Sequence, residues 1–237
     1  DSNNIDSNIS SGNYNLELPS TNDEQGFPAL DYLLYGLANS DEEIILKLSN
    51  TQHINYLNAL VDRMVDMANN VLNEWTGSYK DTFISKEGST ATSSLNKMAN
   101  DFMFYYEKSL RAGKIGIPAG VFSTSPLANK VEGFYSGKGK ELFLAALTST
   151  QNFFNGTSFE GKNNGSSLAD YLDYLNIVKE GADLSGLINT QFDLARTSAA
   201  NLSNSLEEQV DSNNTLMLQT YDELQRAVVL MKVDMFQ

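Results

Sequence analysis

Apolar residues recur every three or four positions along most of the chain. From Ile54 they fall at Leu57, Leu60, Val61, Met64, Val65, Ala68, Val71, Leu72 and Trp75, about six turns of a long amphipathic helix. The same spacing returns in Leu95, Met98, Ala99, Phe102, Met103, Tyr106 and Leu110, and again in Leu142, Phe143, Ala146, Leu147 and Phe154. Ser167 with Asp170 predicts a capped helix carrying Leu168, Tyr171, Leu172, Leu175 and Val178. Further helices are expected from Leu184 to Leu206 and from Leu216 to Met231. Ser40 and Glu43 form a capping box that opens a short helix through Ile44, Ile45, Leu46 and Leu48. No sustained alternation of apolar and polar residues, the mark of a half-buried strand, is found. The pattern predicts an all-α fold of helical bundles, with each apolar stripe laid against a partner helix.

Three stretches fall outside this rhythm. Residues 1–25 mix Asn, Ser and Asp with Gly12 and Pro19 and show no period, so they read as an irregular polar lead-in to one helical domain over 26–237. Residues 112–136 hold Gly113, Gly116, Pro118, Gly120, Pro126 and Gly133, too many breakers for a helix, and so predict a long loop. Gly161 to Gly165 and Gly181 mark exposed turns.

Composition narrows the partners more than the fold. The 237 residues, 41% of them apolar, are enough for one large or two small cores. A net charge of −14 and a pI near 4.4 set the chain against nucleic acid and anionic lipid; they suit solubility or attraction of cations. With no cysteine there is no disulfide, no thiolate metal site and no thiol nucleophile. No window approaches the length and apolarity of a membrane-spanning helix. The opening Asp1-Ser2-Asn3-Asn4 lacks signal-peptide character, which leaves a cytoplasmic protein or one whose leader has been removed.

Familiar catalytic patterns are not assembled. A helix-borne zinc protease site needs two histidines flanking a glutamate, and His53 is the only histidine. No Gly-x-Ser-x-Gly elbow offers a serine nucleophile, so His53 reads as an ordinary surface residue at a helix start. Gly133 to Lys140 has one residue too few for a phosphate loop and Gly139 where the metal-binding hydroxyl belongs, so it reads as a turn entering a helix. Phe102, Phe104, Tyr105 and Tyr106 follow helical spacing and are expected in the core rather than on a ligand platform. No calcium-loop series of carboxylates appears.

Gly26-Phe27-Pro28-Ala29-Leu30-Asp31-Tyr32-Leu33-Leu34-Tyr35-Gly36 has a character of its own. Pro28 suits a first helical turn, and Phe27, Leu30, Leu33, Leu34 and Leu37 follow at helical spacing. Asp31 is then either a partner of the helix dipole or a lone cation ligand. The stretch resembles the signature of the imelysin-like family, Gly-x-His-x-x-Glu followed by Tyr-Leu-Leu-x-Gly, with Pro28 at the His position and Asp31 at the Glu position. Lys114-Ile115-Gly116-Ile117-Pro118-Ala119-Gly120, then Val131-Glu132 and Tyr135-Ser136-Gly137, is similar to a second block of that family. Tyr221 to Gln225 and Leu230 to Met235 are similar to its last long helix.

The resemblance runs from about Asp23 to the end and implies an all-helical protein of two packed bundles, of which this chain looks like an internal piece. It implies a bacterial periplasmic or outer-membrane lipoprotein associated with iron uptake. A metal ion or an iron-carrying ligand, and a periplasmic or outer-membrane protein, are the partners implied. Asp31 and Glu132, each inside a block similar to that family's, are the candidate metal-binding residues it implies, with iron or another divalent cation as the candidate cofactor; it also places the signature helix, and so Asp31, at the cleft between the two bundles. A binding or accessory role is expected, since the sequence assembles no nucleophile, base or metal cage; a metallopeptidase and a structural interaction module are the alternatives.

Overall fold

A computed structural model describes residues 2–88 and 90–235. The fold is all-α, as the spacing predicts, and the chain divides into two compact units, one ending at Glu87 and the other starting at Gly88.

The first unit comprises α1 (Ser2–Ser11), a 3-10 segment (Pro19–Glu24), α2 (Gly26–Asp31) running into a π-helical turn (Tyr32–Gly36), α3 (Asp41–Leu48), α4 (Thr51–Glu74), a second π-helical turn (Trp75–Tyr79) and α5 (Lys80–Ser85). The lead-in expected over residues 1–25 is therefore corrected: most of it is helical, and it contributes Ile5, Ile9 and Leu16 to the core. Ile5 and Ile9, one turn apart, are 2% and 3% exposed, and Leu16 is buried with them. Asn and Ser have weak helix propensity, and two apolar residues in ten make a faint stripe; packing supplies what the local sequence does not. Tyr56 anchors this core, its ring 4.7 Å from that of Tyr14 and its hydroxyl donating to the Glu24 carbonyl at 2.9 Å.

Ser40 caps α3 as expected, accepting from the Glu43 amide at 3.3 Å, with Asp41, Glu42 and Glu43 at the positive end of the α3 dipole. The expectation that every stripe meets a partner fails for α4. Only Tyr56 and Leu60 of its 24 residues are buried, because α1, α2 and α3 pack along its first part. Val61, Val65, Met67, Val71, Leu72 and Trp75 are all exposed.

The second unit comprises α6 (Ser94–Phe104) continuing as a π-helical stretch (Tyr105–Gly116), a 3-10 turn (Ala128–Lys130), α7 (Gly139–Phe154), α8 (Leu168–Tyr174), a hairpin of β1 (Val178–Lys179) and β2 (Ala182–Asp183), α9 (Leu184–Ala200) and α10 (Leu206–Val229), which ends in a π-helical turn (Leu230–Asp234). The π-helical stretch, α7, α9 and α10 form a four-helix ring in which each packs on two neighbours. Phe143, Leu147, Phe154, Ile188, Phe192 and Leu224 fill its centre, and the fully buried Ala195, Ala199 and Ala227 let the backbones approach. Phe102 and Tyr106 lie in this core as expected, whereas Phe104 and Tyr105 are exposed.

Two expectations change here. The loop predicted from Ala112 begins only after Gly116, since the wider π winding carries the helix through Gly113. The helix predicted to reach Val178 stops at Tyr174; Asn176 turns left-handed and Val178 pairs with Asp183. Lys140 donates to the carbonyls of Ala200 and Leu202 at 2.9 and 2.7 Å, so the lysine of the supposed phosphate loop caps the end of α9.

Candidate functional site

The chemistry-bearing positions fall in separate places. In the first unit, Pro28 is exposed within the first turn of α2, where a missing N–H costs no bond. The helix starts two residues before it, at Gly26, so Asp31 is the sixth residue and no acidic residue occupies the first turn. The dipole reading of Asp31 is corrected accordingly. Asp31 is half-buried, while Ala29, Tyr32, Leu33 and Leu37 face the core and Phe27 and Leu34 face solvent. The Tyr32 hydroxyl donates to Asp6 Oδ1 at 2.7 Å and ties the segment to α1.

Beside this helix lies a carboxylate that the sequence patterns do not flag. Glu24 is 7% exposed, and its two oxygens accept from Asn4 Nδ2 at 3.1 Å and Asn8 Nδ2 at 2.7 Å. The signal available was the i, i+4 pair of asparagines in α1, meaningful only once that segment is known to be a helix. His53 also departs from expectation. It is half-buried rather than a surface residue, and its Nδ1 is buried with no hydrogen-bond partner among the described residues. Burial lowers its pKa below 6.5, nearby Lys47 lowers it further, and Asp6 opposes both.

In the second unit the second and third blocks are brought together. Glu132 forms an ion pair with Lys114, both side chains mostly buried. Tyr105 keeps part of its side chain in solvent, and the desolvation of the rest raises its pKa, with Glu132 adding to the shift. One turn earlier, Arg111 donates through Nη1 to the Tyr221 hydroxyl, stacks on the Tyr221 ring at 4.7 Å and approaches Glu107 at 3.7 Å; Lys232 reaches Glu107 at 2.8 Å. Gly116 permits this packing, since a Cβ there would stand 2.6 Å from the Tyr221 ring. Asn214 Nδ2 donates to the Ala119 carbonyl at 2.9 Å, fastening the following turn to α10. Arg111 on Tyr221 and Asn214 on Ala119 hold the π-helical stretch and the turn after it against α10, Lys232 on Glu107 ties in the π-helical turn that ends α10, and the Lys114–Glu132 pair fastens the loop.

Among the described residues, no three histidine, aspartate or glutamate side chains gather where they could hold a metal ion. The donor set therefore does not form a cage for a resident metal. The second unit does offer a concavity, a groove of about 610 Å³ lined by Leu95, Met98, Phe153, Thr157, Ser167, Leu168, Asp170, Tyr171 and Tyr174 among others. Its one charged side chain is Asp170, so it suits a neutral or cationic ligand with an apolar face.

In comparison with known proteins, a family model described as Imelysin matches residues 1–230, which takes in the segment before Asp23 as well. No curated protein and no solved structure matches the chain.

Proposed function

Because the chain belongs to the imelysin family, we propose that it acts outside the cytoplasm as a binding or accessory component of iron uptake, on the periplasmic or outer-membrane side of a bacterium, and not as an enzyme. The observation that carries this reading is the state of the block residues. Pro28 stands at the position of the histidine in the resembled signature, and the carboxylate of Glu132 is neutralised by Lys114. Proteolysis assisted by a metal needs a ligand set and a base beside it. His53 has a lysine and an aspartate as its charged neighbours and lies among no such set. A weak cation site at Asp31, or an iron-carrying ligand handed over by a partner protein, is what the donors permit. The groove beside Phe153 and Tyr174 gives the second unit a ligand-sized concavity.

Calorimetric titration with ferrous, ferric and zinc ions and with haem tests this, alongside degradation of unfolded casein with and without a chelator. Uptake of iron or haem at a defined stoichiometry, with no proteolysis, is the expected result. Asp31→Ala and Glu132→Gln then report whether either carboxylate contributes to the isotherm. Casein cleavage that a chelator abolishes would overturn the reading in favour of a metallopeptidase.

A further inference from the structure

The exposed face of α4 is a heptad seam. Val61, Ala68 and Trp75 fall at one heptad position and Leu57, Met64 and Val71 at the other, an unbroken 4-3-4-3-4 spacing. Val65 and Leu72 flank it on one side and Met67 on the other. From Val61 onward most of this surface is open: Val71 is 72% exposed, Leu72 57%, Val65 50% and Met67 49%, while Met64 is half-buried and one side of the Trp75 ring packs on Tyr79 and Phe83. The opposite face carries Asp62, Arg63, Asp66, Asn69, Asn70 and Asn73. An a/d seam on a straight helix is complementary to another helix of the same period rather than to a small molecule.

We propose that the occupant is α4 of a second copy of this chain, packed antiparallel across a two-fold axis. Three observations select it. The seam is self-complementary: pairing about Asp66 sets Val61 opposite Val71 and Met64 opposite Ala68, large against small at the centre. The flanks carry no like-charge conflict in that register, since Met67 meets its own copy and Val65 meets its own copy. The polar face has Arg63 as its one basic residue, which removes the cationic belt by which an amphipathic helix is held on an anionic lipid surface.

The area sets the strength. Val61, Val65, Met67, Val71, Leu72 and Trp75 would each lose on the order of 60–120 Å², roughly 1,000 Å² over two copies, near the lower bound for a specific dimer. An interface of this size belongs to the weak, transient class, so the dimer forms and parts with concentration.

Sedimentation velocity of the full chain from about 1 to 200 μM tests it, with circular dichroism to verify folding. The wild type shifts from monomer to dimer across this range. Val71→Glu, at an exposed position, leaves the helical signal unchanged and weakens association by roughly a hundredfold or more, because it buries an unpaired carboxylate. Asn70→Glu, on the polar face, adds the same charge and leaves the dimer intact. Since the chain has no cysteine, Met67→Cys forms an intermolecular disulfide on mild oxidation and Asn70→Cys does not. A wild type that stays monomeric at 200 μM overturns the proposal, as does a Val71→Glu dimer as tight as the wild type. Binding of the wild-type monomer to anionic vesicles would assign the face to a lipid surface instead.

Discussion

His53 supplies the chain's one imidazole, so its protonation can be followed as a single resonance. Its Nδ1 is buried with no partner among the described residues, and burial and Lys47 both oppose the charged form. The folded pKa is lowered, so the fold favours the neutral ring. That contribution is fully present above the unfolded value near 6.5 and is lost as pH falls through the lowered folded value. Proton NMR of the folded protein should give a midpoint below 6.5. His53→Gln, with no charge to acquire, should lose less stability between pH 7 and pH 5 than the wild type, read from urea midpoints. A midpoint at or above 6.5 would contradict the burial that defines this site. At this scale the sequence was legible where identity alone decides chemistry: Pro28 cannot ligate a metal wherever it lies. Pairings were not legible. Nothing in the spacing of Lys114 and Glu132, 18 residues apart across a turn, announces an ion pair, and Glu24 looked like any surface glutamate until Asn4 and Asn8 were placed on one helical face.

Strong periods place the helices but not all of their ends: the helix expected over Leu184–Leu206 stops at Ala200, and the one expected from Leu216 already begins at Leu206, capped by Ser205. The stripe of α1 is two isoleucines in an Asn/Ser background, too thin to outweigh weak propensity until tertiary packing is known. The end of the π-helical stretch over Tyr105–Gly116 is hidden in the sequence by its glycines, which rank as helix breakers, although Gly116 serves close contact with Tyr221. The turn that follows was identified as a turn, and its geometry yields a sharp test. Gly120 has φ +81°, a region costly for any side chain, and a Cβ there would lie 2.8 Å from the backbone of Ser125 and Pro126. Backbone cannot move aside as a side chain does. Gly120→Ala should therefore destabilise the second unit by about 1–3 kcal/mol and lower its melting temperature by several degrees in calorimetry. An unchanged melting temperature would mean that the turn is not held against its own backbone as described.

At the scale of the whole molecule, the division after Glu87 was hidden by the long stripe of α4, which looks like the spine of a continuous core. Only burial shows that its core role ends near Leu60 and that the rest of its face is exposed. Net charge, by contrast, needs no coordinates, and it bears on how two copies could associate. Each copy carries −14, so bringing two together raises a long-range repulsion, while the seam itself is apolar and gains nothing from counter-charges. Salt screens the first term, the Debye length falling from about 30 Å at 0.01 M to about 3 Å at 1 M, and leaves apolar burial in place. Association of the wild type should thus tighten several-fold between about 0.02 and 0.5 M sodium chloride, measured by sedimentation at fixed protein concentration. An interface held by ion pairs would move the other way, so a dimer that salt dissociates would place the contact on charged surface and away from the α4 seam.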